Sequence, residues 1–369
     1  MGELICFLIG NGFNYMIRDI LENDELKKET ENIINLWEKF DEYFKKIEEE
    51  YNINGEEAVK LVYSAIDALN ALNILKECSS KIAEKFEVIL ELNNEIIPKY
   101  KKIINNVISE SAKDVVKKFH ESEHEDYYKK LIKEFLIDNK PLGSHIKDLI
   151  NNKKFLHIYT TNYDGIIDTL LVYKYENYRK DFLGRDGFGG TNKDYKHFNG
   201  IYNIENKNII LHIHGSYKFR LLFGMTAKMT KDYVKQQSEN GNFKVDFPVI
   251  VYNNPDIKEK IIKNNNVLNE YFRYFKFSLK ECSKFVIWGN SLRTDPHIVK
   301  AICQNFDKEK PLYVIDIKPD QVIKQLQIGC KKHGCEEFKN IKTLKDLGFN
   351  EPPKTKEKLL KLFEKIITN

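Results

Sequence analysis

The segment of residues 154–171, KFLHIYTTNYDGIIDTLL, constrains the fold of this chain more than any other. Its first half, Phe155–Tyr159, is a short run of apolar, β-branched and aromatic residues, which predicts a strand buried on both faces. Its second half, Asp164–Leu171, places apolar residues at helical spacing. Short polar side chains crowd the junction, as expected for a turn or a helix cap. Considered alone, the junction is a capped turn, but in an open α/β sheet such strand ends also bind ligands.

Four other predicted strands end in residues that suit ligand binding. The ends are Gly10-Asn11-Gly12 after Leu4–Ile9, His214-Gly215-Ser216 after Ile209–Ile213, Gly289-Asn290-Ser291 after Phe285–Trp288, and Asp316 within Leu312–Ile317. Helical patterns alternate with these strands, and such alternation is typical of parallel sheets. The sequence therefore predicts an α/β fold with a doubly wound, mostly parallel Rossmann-like sheet.

The region of residues 25–150 has a different character. Apolar residues recur there at helical spacing, and no strand signal interrupts them. We therefore expect a Rossmann-like domain formed by residues 1–24 and 151–350, a large all-helical insertion over residues 25–150, and a C-terminal helix within residues 351–369. The glycine-rich segment Asp181–Asn199 is expected to be irregular, as either a mobile lid or a surface loop.

Charge and hydropathy exclude several classes of protein. The 59 basic and 55 acidic side chains give a net charge of +4, which indicates a mixed surface and not the footprint of a nucleic-acid-binding protein. The first residues, MGELICFLIGNGF, contain neither a basic n-region nor a long apolar segment. We therefore expect neither a signal peptide nor a membrane span, and we expect the chain in the cytoplasm.

The cysteines and histidines do not form a metal-binding pattern in the sequence. Only Cys330 and Cys335 lie close together among the six cysteines, and no second pair completes a zinc site. His212 and His214 would project from the same face of their strand, but the sequence shows no third ligand. We therefore expect a reduced chain with no bound metal and no stoichiometric zinc. His157, on an apolar strand, is interpreted as a core residue.

The strand-end motifs, in this order, resemble those of the sirtuin family, and more closely its bacterial branch associated with phage defence. The chain lacks the four-cysteine zinc module of sirtuin deacylases, which argues against protein deacylation. Abortive-infection proteins of the AbiH type share the Gly-Asn-Gly-Phe start, so this neighbouring group is an alternative. The resemblance covers residues 1–20 and about 151–320, and the motifs that carry it are Gly10 to Asn14, Thr160 to Asp164, His214-Gly215 and Gly289 to Ser291.

The resemblance implies an NAD glycohydrolase that makes nicotinamide and ADP-ribose, with a role in anti-phage defence by NAD depletion. His214 is the candidate general base, because an imidazole titrates near physiological pH. Asn162 would orient the ribose or the attacking water. Asp164 would either orient Asn162 or cap the following helix. We expect main-chain amides to bind the pyrophosphate and an acidic side chain to accept hydrogen bonds from a ribose. The expected NAD-binding residues are Gly10, Asn11, Gly12, Phe13, Thr161, Asp164, Gly289, Asn290, Ser291 and Asp316.

Other functions fit the same motifs. A sirtuin-type protein deacylase or ADP-ribosyltransferase would need an acyl-lysine or an acceptor protein besides NAD. A non-catalytic subunit of a defence complex would sense NAD or ADP-ribose and control a partner protein. We further expect a homo-oligomer assembled through the helical insertion, and activation by a partner defence protein or a phage trigger.

Overall fold

The architecture is taken from a computed structural model of the chain. The structure describes residues 2–53, 57, 125–150, 153–172, 186–191, 193–202, 207–222, 225–230, 248–251 and 255–368. Within these ranges the strands are β1 (Glu3–Ile9), β2 (Leu136–Ile137), β3 (Lys140–Pro141), β4 (Lys154–Thr160), β5 (Phe188–Gly189), β6 (Tyr195–Phe198), β7 (Ile209–His212), β8 (Gly215–Leu222), β9 (Met225–Met229), β10 (Pro248–Ile250), β11 (Lys284–Trp288), β12 (Leu312–Ile315) and β13 (Ile341–Thr343). The helices are α1 (Asn11–Ile20), α2 (Asp24–Tyr51), α3 (Glu125–Glu134), α4 (Leu142–Ile150), α5 (Ile166–Val172), α6 (Pro255–Asn264), α7 (Asn266–Glu281), α8 (Pro296–Asn305), α9 (Pro319–His333) and α10 (Lys356–Thr368).

Six of the strands form an all-parallel sheet with the order β13-β12-β11-β1-β4-β7. β1 lies inside this sheet, paired with β4 on one side and with β11 on the other. The chain therefore runs outward from β1 through β4 and β7, and it later fills the other half of the sheet with β11, β12 and β13. Strand order reverses between β1 and β11, and open α/β sheets bind ligands in the crevice at such a reversal. The predicted α/β fold with a parallel sheet is confirmed.

Alternate side chains of β1 enter two separate hydrophobic cores. Ile5, Phe7 and Ile9 pack with residues of α1, α3, α4, α5 and α10, whereas Cys6 and Leu8 pack with residues of α7, α8 and α9. Helices therefore cover both faces of the sheet, which explains why its strands are continuous apolar runs. A fully buried Ile, Leu or Phe contributes about 1.5–3 kcal/mol relative to an exposed one, so this layer is the main support of the sheet edge described below.

A second, antiparallel sheet with the order β10-β8-β9-β6-β5 differs from the sequence expectation. The segment Asp181–Asn199, expected to be irregular, contributes β5 and β6 in its described part. These strands are two and four residues long, too short to show the alternation that identifies a strand. Gly215, with a φ of +91°, turns the chain from β7 into β8. A Cβ atom at that glycine would lie 2.0 Å from the Val249 carbonyl oxygen, so the close approach of β10 requires glycine.

The expectation of an insertion without strands is wrong at residues 136–141. β2 and β3 pair there as a hairpin. Its turn residues, Asp138 and Asn139, have φ angles of +48° and +59°. Positive φ at both central positions is typical of a type I′ turn, in which Asp and Asn are favoured. Strands of two residues give no periodic signal, so only the Asp-Asn pair indicated the turn.

The described residues include only the two ends of the predicted insertion, and α2, α3 and α4 are helical there as expected. The helical patterns at residues 58–69, 82–89 and 103–108, together with Cys78, lie outside the described residues. The predicted C-terminal helix is confirmed as α10, which buries Leu362, Phe363 and Ile366. Among the described helices, none is both long and apolar enough to cross a membrane.

Candidate active site

The polar motifs predicted from the sequence follow strands that end at paired positions of the central sheet. In the registers of the sheet, Ile9 lies opposite both Thr160 and Trp288. Thr160 in turn lies opposite His212, and Trp288 lies opposite Ile315. The predicted motifs therefore begin in one row along the carboxyl edge of the sheet, where the next residues are Gly10, Thr161, Ile213, Gly289 and Asp316.

The glycine motifs after β1 and β11 form a tight backbone junction. Gly12 N donates to Gly289 O at 2.8 Å, and Gly10 N donates to Trp288 O at 2.9 Å. The amide of Gly289, a residue with φ of +61°, donates to Ile315 O at 2.8 Å. The pyrophosphate contacts predicted for these three amides are therefore replaced by backbone hydrogen bonds, because each amide already has a carbonyl acceptor.

The first predicted loop is a helix entry. α1 begins at Asn11, directly after Gly10, and Asn11 is exposed in its first turn. Phe13, expected at the ligand, is fully buried and meets Trp288 edge-on with ring centroids 5.4 Å apart. Its side chain therefore packs in the core. An anion at this point would be bound by the amino-terminal end of α1, whose dipole favours negative charge.

Two asparagines link neighbouring strand ends. Asn162 Nδ2 donates to Gly10 O at 3.2 Å, and Asn290 Nδ2 donates to Thr161 Oγ1 at 3.0 Å. Both asparagines are buried. Because the Asn162 amide group donates to the fold, its Oδ1 is the atom that would accept a hydrogen bond from a ribose or a water. Ser291, the third residue of its motif, is exposed.

Asp164 caps α5 and connects it to α1. Its Oδ1 accepts from Ile166 N at 2.9 Å, and its Oδ2 accepts from Asn14 Nδ2 at 2.7 Å. Burial raises the pKa of this carboxyl above its usual value, although its hydrogen bonds and the nearby His212 oppose that shift. Of the two roles considered for Asp164, the structure therefore shows the helix cap. Asn14 is fully buried, and its Oδ1 has no hydrogen-bond partner among the described residues.

The sequence reasoning missed a His212–Asp168 pair that supports the main chain of Asn162. His212 Nδ1 donates to Asn162 O at 2.8 Å, and His212 Nε2 lies 2.8 Å from Asp168 Oδ2. Burial alone would lower the pKa of His212, but the charge and hydrogen bond of Asp168 outweigh it and raise that pKa. Burial of Asp168 is likewise outweighed by His212, so the pKa of that carboxyl is lowered. Both shifts favour the ionised pair, which fixes the backbone at Asn162.

The substitution Asp168→Asn is expected to destabilise the protein more at pH 6 than at pH 9. A histidine whose pKa is raised in the folded protein stabilises the fold fully at pH values below its pKa in the unfolded chain, about 6.5. This stabilisation is lost as the pH rises through the pKa of the histidine in the folded protein. The lowered pKa of Asp168 makes stability depend on pH only in the acidic range, because its stabilisation is lost as the pH falls towards the pKa of Asp168 in the folded protein. We expect a loss of about 3 kcal/mol at pH 6, the low end for a broken buried ion pair.

Urea unfolding of the parent and Asp168→Asn at both pH values measures this difference. Asp148→Asn is the control, because Asp148 pairs with Lys140 at the surface. Its expected cost is below about 1 kcal/mol at either pH. A cost of Asp168→Asn that is equal at pH 6 and pH 9 would show that His212 is not charged in the folded protein.

His214 lies in a buried cluster with Lys258, Asp295 and His297. His214 Nε2 is 3.0 Å from His297 Nε2 and 3.8 Å from Asp295 Oδ1. Lys258 Nζ donates to the same Asp295 oxygen at 2.6 Å. Burial and the charge of Lys258 hold the pKa of His214 well below its usual value. Burial and the neighbouring His214 lower the pKa of His297 to about 3, so both imidazoles are neutral at physiological pH.

Asp295 and His297 were not predicted as site residues, because Asp295-Pro296 is typical of the start of a helix. Asp295 is indeed the N-cap residue of α8, but its side chain makes no capping hydrogen bond. Its carboxylate pairs with Lys258 instead. The only signal in the sequence was a titratable pair, Asp295 and His297, immediately after the Gly289–Ser291 strand end.

The composition of this cluster is also that of a metal site with two histidines and one carboxylate. The candidate ligand atoms of His214, Asp295 and His297 lie within 4.8 Å of one another. His212, which the sequence paired with His214, is instead bound to Asp168. Because the Lys258 ammonium already neutralises Asp295, a metal cation would have to displace a buried positive charge. Two adjacent neutral imidazoles beside a carboxylate fit proton transfer better.

A cavity of about 490 Å³ opens where the strand order reverses. Gly12, Gly289 and Asp316 contribute to its lining, and its volume is in the range of small-ligand sites. In the described part of the chain, Asn162 and His214 are not among its lining residues. The predicted site residues therefore form two groups along one sheet edge, one at the cavity and one at the ends of β4 and β7.

Comparison with known proteins gives no relative from which to transfer a function. No protein-family model matches the chain, and no curated protein matches it. A function for this chain therefore has to be argued from its own motifs and from their positions at the sheet edge.

Proposed function

We propose that this protein is a sirtuin-like NAD glycohydrolase, which cleaves NAD to nicotinamide and ADP-ribose. One observation supports the proposal most: the motifs that resemble those of sirtuins begin in one row at the carboxyl edge of a parallel sheet. The row includes the reversal of strand order, where α/β sheets bind nucleotides. Gly10 and Gly289, far apart in sequence, meet there through backbone contacts.

The cavity beside β11 and β12 suits the adenosine half of NAD. Asp316 lies at this cavity and would accept hydrogen bonds from the ribose hydroxyls. The pyrophosphate would lie at the amino-terminal end of α1, where the helix dipole favours it. The nicotinamide half would then extend along the sheet edge from β1 towards β4 and β7, where Asn162 and His214 follow the last paired residues.

The proposed reaction breaks one bond and forms one bond at the ribose. The bond between C1′ and the nicotinamide nitrogen breaks, and its electron pair leaves with nicotinamide. Water adds to C1′ and transfers a proton to His214, which is neutral because its pKa is lowered by burial and by Lys258. Asn162 Oδ1 would orient that water or a ribose hydroxyl.

The neighbours of His214 favour one tautomer of its ring. For Nδ1 to accept a proton from water, Nε2 must carry a hydrogen, which it donates to His297 Nε2 at 3.0 Å. Asp295 Oδ1, 3.8 Å from the same nitrogen, then stabilises the imidazolium that forms. A base oriented by further groups is the arrangement of catalytic triads. His297 and Asp295 are therefore proposed as positioning residues.

The resemblance extends the proposal to the biological role. It implies defence against phage by depletion of cytoplasmic NAD, by a homo-oligomer that a partner protein or a phage trigger activates. A deacylase or a transferase would use the same NAD-binding edge, but no contact in the described residues favours an acyl-lysine or acceptor-protein substrate.

Binding of NAD or ADP-ribose without cleavage is the second candidate function. The observation that favours it is burial, because His214 is 2% exposed and Asn162 is 7% exposed. Neither residue lines the described cavity. A nucleotide bound only at the cavity would signal to a partner protein and would remain intact.

Incubation of the purified chain with NAD distinguishes the two functions. We expect equal amounts of nicotinamide and ADP-ribose, measured by chromatography. Calorimetric binding of NAD without product would favour the sensing function, and the absence of both binding and cleavage would contradict both functions. Asp316→Ala should weaken NAD binding through the loss of ribose hydrogen bonds, whereas Asp320→Ala, at an exposed position of α9, is the matched control.

A further inference from the structure

We propose that Cys303, Cys330 and Cys335 bind one thiophilic metal ion. This inference is independent of NAD cleavage, since these cysteines lie on α8 and α9 and in the turn that follows α9. It revises the expectation of a metal-free chain, which for the cysteines rested on the sequence spacing of Cys330 and Cys335. The fold adds Cys303 from a different helix.

The three sulfur atoms already have nearly the geometry of a metal site. Each candidate Sγ atom lies within 4.8 Å of the other two, and the Sγ atoms of Cys303 and Cys330 are 3.4 Å apart. Metal–sulfur bonds of about 2.3 Å place thiolates roughly 3.8–4.0 Å apart in tetrahedral or trigonal arrangements. Bringing all three sulfurs to one ion therefore needs shifts of an ångström or less.

Two glycines allow the three cysteines to come close together. A Cβ atom at Gly329 would lie 2.3 Å from Val299 Cγ1 and 3.1 Å from Cys303 Sγ, so glycine allows the close packing of α8 against α9. Gly334 ends α9 in the left-handed conformation with φ of +65°. The turn folds the chain back, so that Cys335 N donates to Cys330 O at 3.0 Å. Such a helix end brings both cysteines to the same side of the turn.

The position of Cys335 makes the cluster accessible to a metal ion. Cys335 is only partly buried, which gives an ion a route from solvent and leaves room for a fourth ligand from water. Three thiolates with one open position fit Zn²⁺ or Cu⁺.

The test uses the full chain, reduced and freed of metal by a chelator. One arm titrates Zn²⁺ against a chromogenic chelator, and the other titrates Cu⁺ under anaerobic, reducing conditions. Binding of Co²⁺, read from its sulfur-to-metal charge-transfer absorption, reports thiolate ligands directly. We expect one ion per chain in one of the two arms, and thiolate absorption with Co²⁺.

Cys335→Ser removes the most accessible ligand with the least risk to folding. It should weaken binding at least ~10-fold, the low end for lost support at a metal site. Cys282→Ala is the matched control, because Cys282 is a buried cysteine outside the cluster. Unchanged affinity in Cys335→Ser would overturn the proposal. Formation of a Cys303–Cys330 disulfide without binding of either ion would also overturn it.

Discussion

The substitution His214→Ala is expected to slow NAD cleavage at least ~100-fold, the scale of a lost general base. The structure gives the physical reason: a neutral imidazole is held by His297, beside an Asp295 carboxylate that Lys258 fixes. Removal of the ring leaves the Lys258–Asp295 ion pair in place, so the variant should fold. Nicotinamide release by the variant and the parent, at equal folded concentration, measures the effect.

His157→Ala is the matched control for this prediction. His157 is fully buried on β4, and its Nδ1 lies 2.6 Å from Ser278 Oγ, as expected of a core histidine. Its truncation should lower stability while each folded molecule keeps its activity. His214→Ala should show the opposite pattern. Parent-like cleavage by His214→Ala, from a parent shown to be active, would rule out the proposed mechanism.

Asn162→Ala is a second test of the same site and should also cost at least ~100-fold in cleavage. The loss combines the acceptor Oδ1 with the Nδ2 hydrogen bond to Gly10 O. Asn290→Ala removes a comparable hydrogen bond, to Thr161 Oγ1, without removing a proposed catalytic group. A smaller effect of Asn290→Ala on cleavage would separate chemistry from support of the sheet edge.

The substitution Gly289→Ala is expected to destabilise the protein by about 2–5 kcal/mol, the sum of backbone strain and overpacking. Gly289 has φ of +61°, and an added Cβ would lie 2.2 Å from Phe13 N and 2.5 Å from Gly12 C. These neighbours are backbone atoms of the α1 entry, so the helix would have to move away from β11. Denaturant unfolding measures the loss of stability.

Gly334→Ala separates the two parts of this cost. Gly334 has nearly the same φ, +65°, but nothing lies within 4 Å of an added Cβ. Its expected cost is therefore about 1–2 kcal/mol, from strain alone. Equal losses for both substitutions would show that the close approach of Gly289 to the start of α1 is not required for stability.

The parallel sheet could be predicted from the sequence because burial on both faces leaves a local signal. Phe155–Tyr159, apart from His157, and Phe285–Trp288 are apolar runs, and both belong to interior strands of the sheet. The strands β5 and β6 of the antiparallel sheet left no such signal, because they are only two and four residues long. Short strands are fixed by their neighbours, and a sequence window does not contain those neighbours.

The candidate site could be predicted only where its residues follow strands. Asn162 and His214 were candidates because they come shortly after the runs Phe155–Tyr159 and Ile209–Ile213, whereas Asp168 and His297 lie within or at the start of helices. Their roles depend on partners 44 and 83 residues away in sequence. The sequence did not show that the amides of Gly10, Gly12 and Gly289 already have acceptors, because each acceptor lies outside the sequence window around its glycine.

The position of β1 between β4 and β11 has a consequence for biosynthesis. Ile5 pairs with both Leu156 and Lys284, so β1 leaves the ribosome well before one of its partner strands, which is made about 280 residues later. At translation rates of about 5–20 residues per second, that interval lasts roughly 14–56 s. During this interval β1 has an unpaired edge, which can pair with other chains and lead to aggregation, so binding of a chaperone to this edge would protect the nascent chain. The crevice between Gly10 and Gly289 does not exist in the nascent chain, so a ligand-binding site at this sheet edge forms only after β11 has been synthesised.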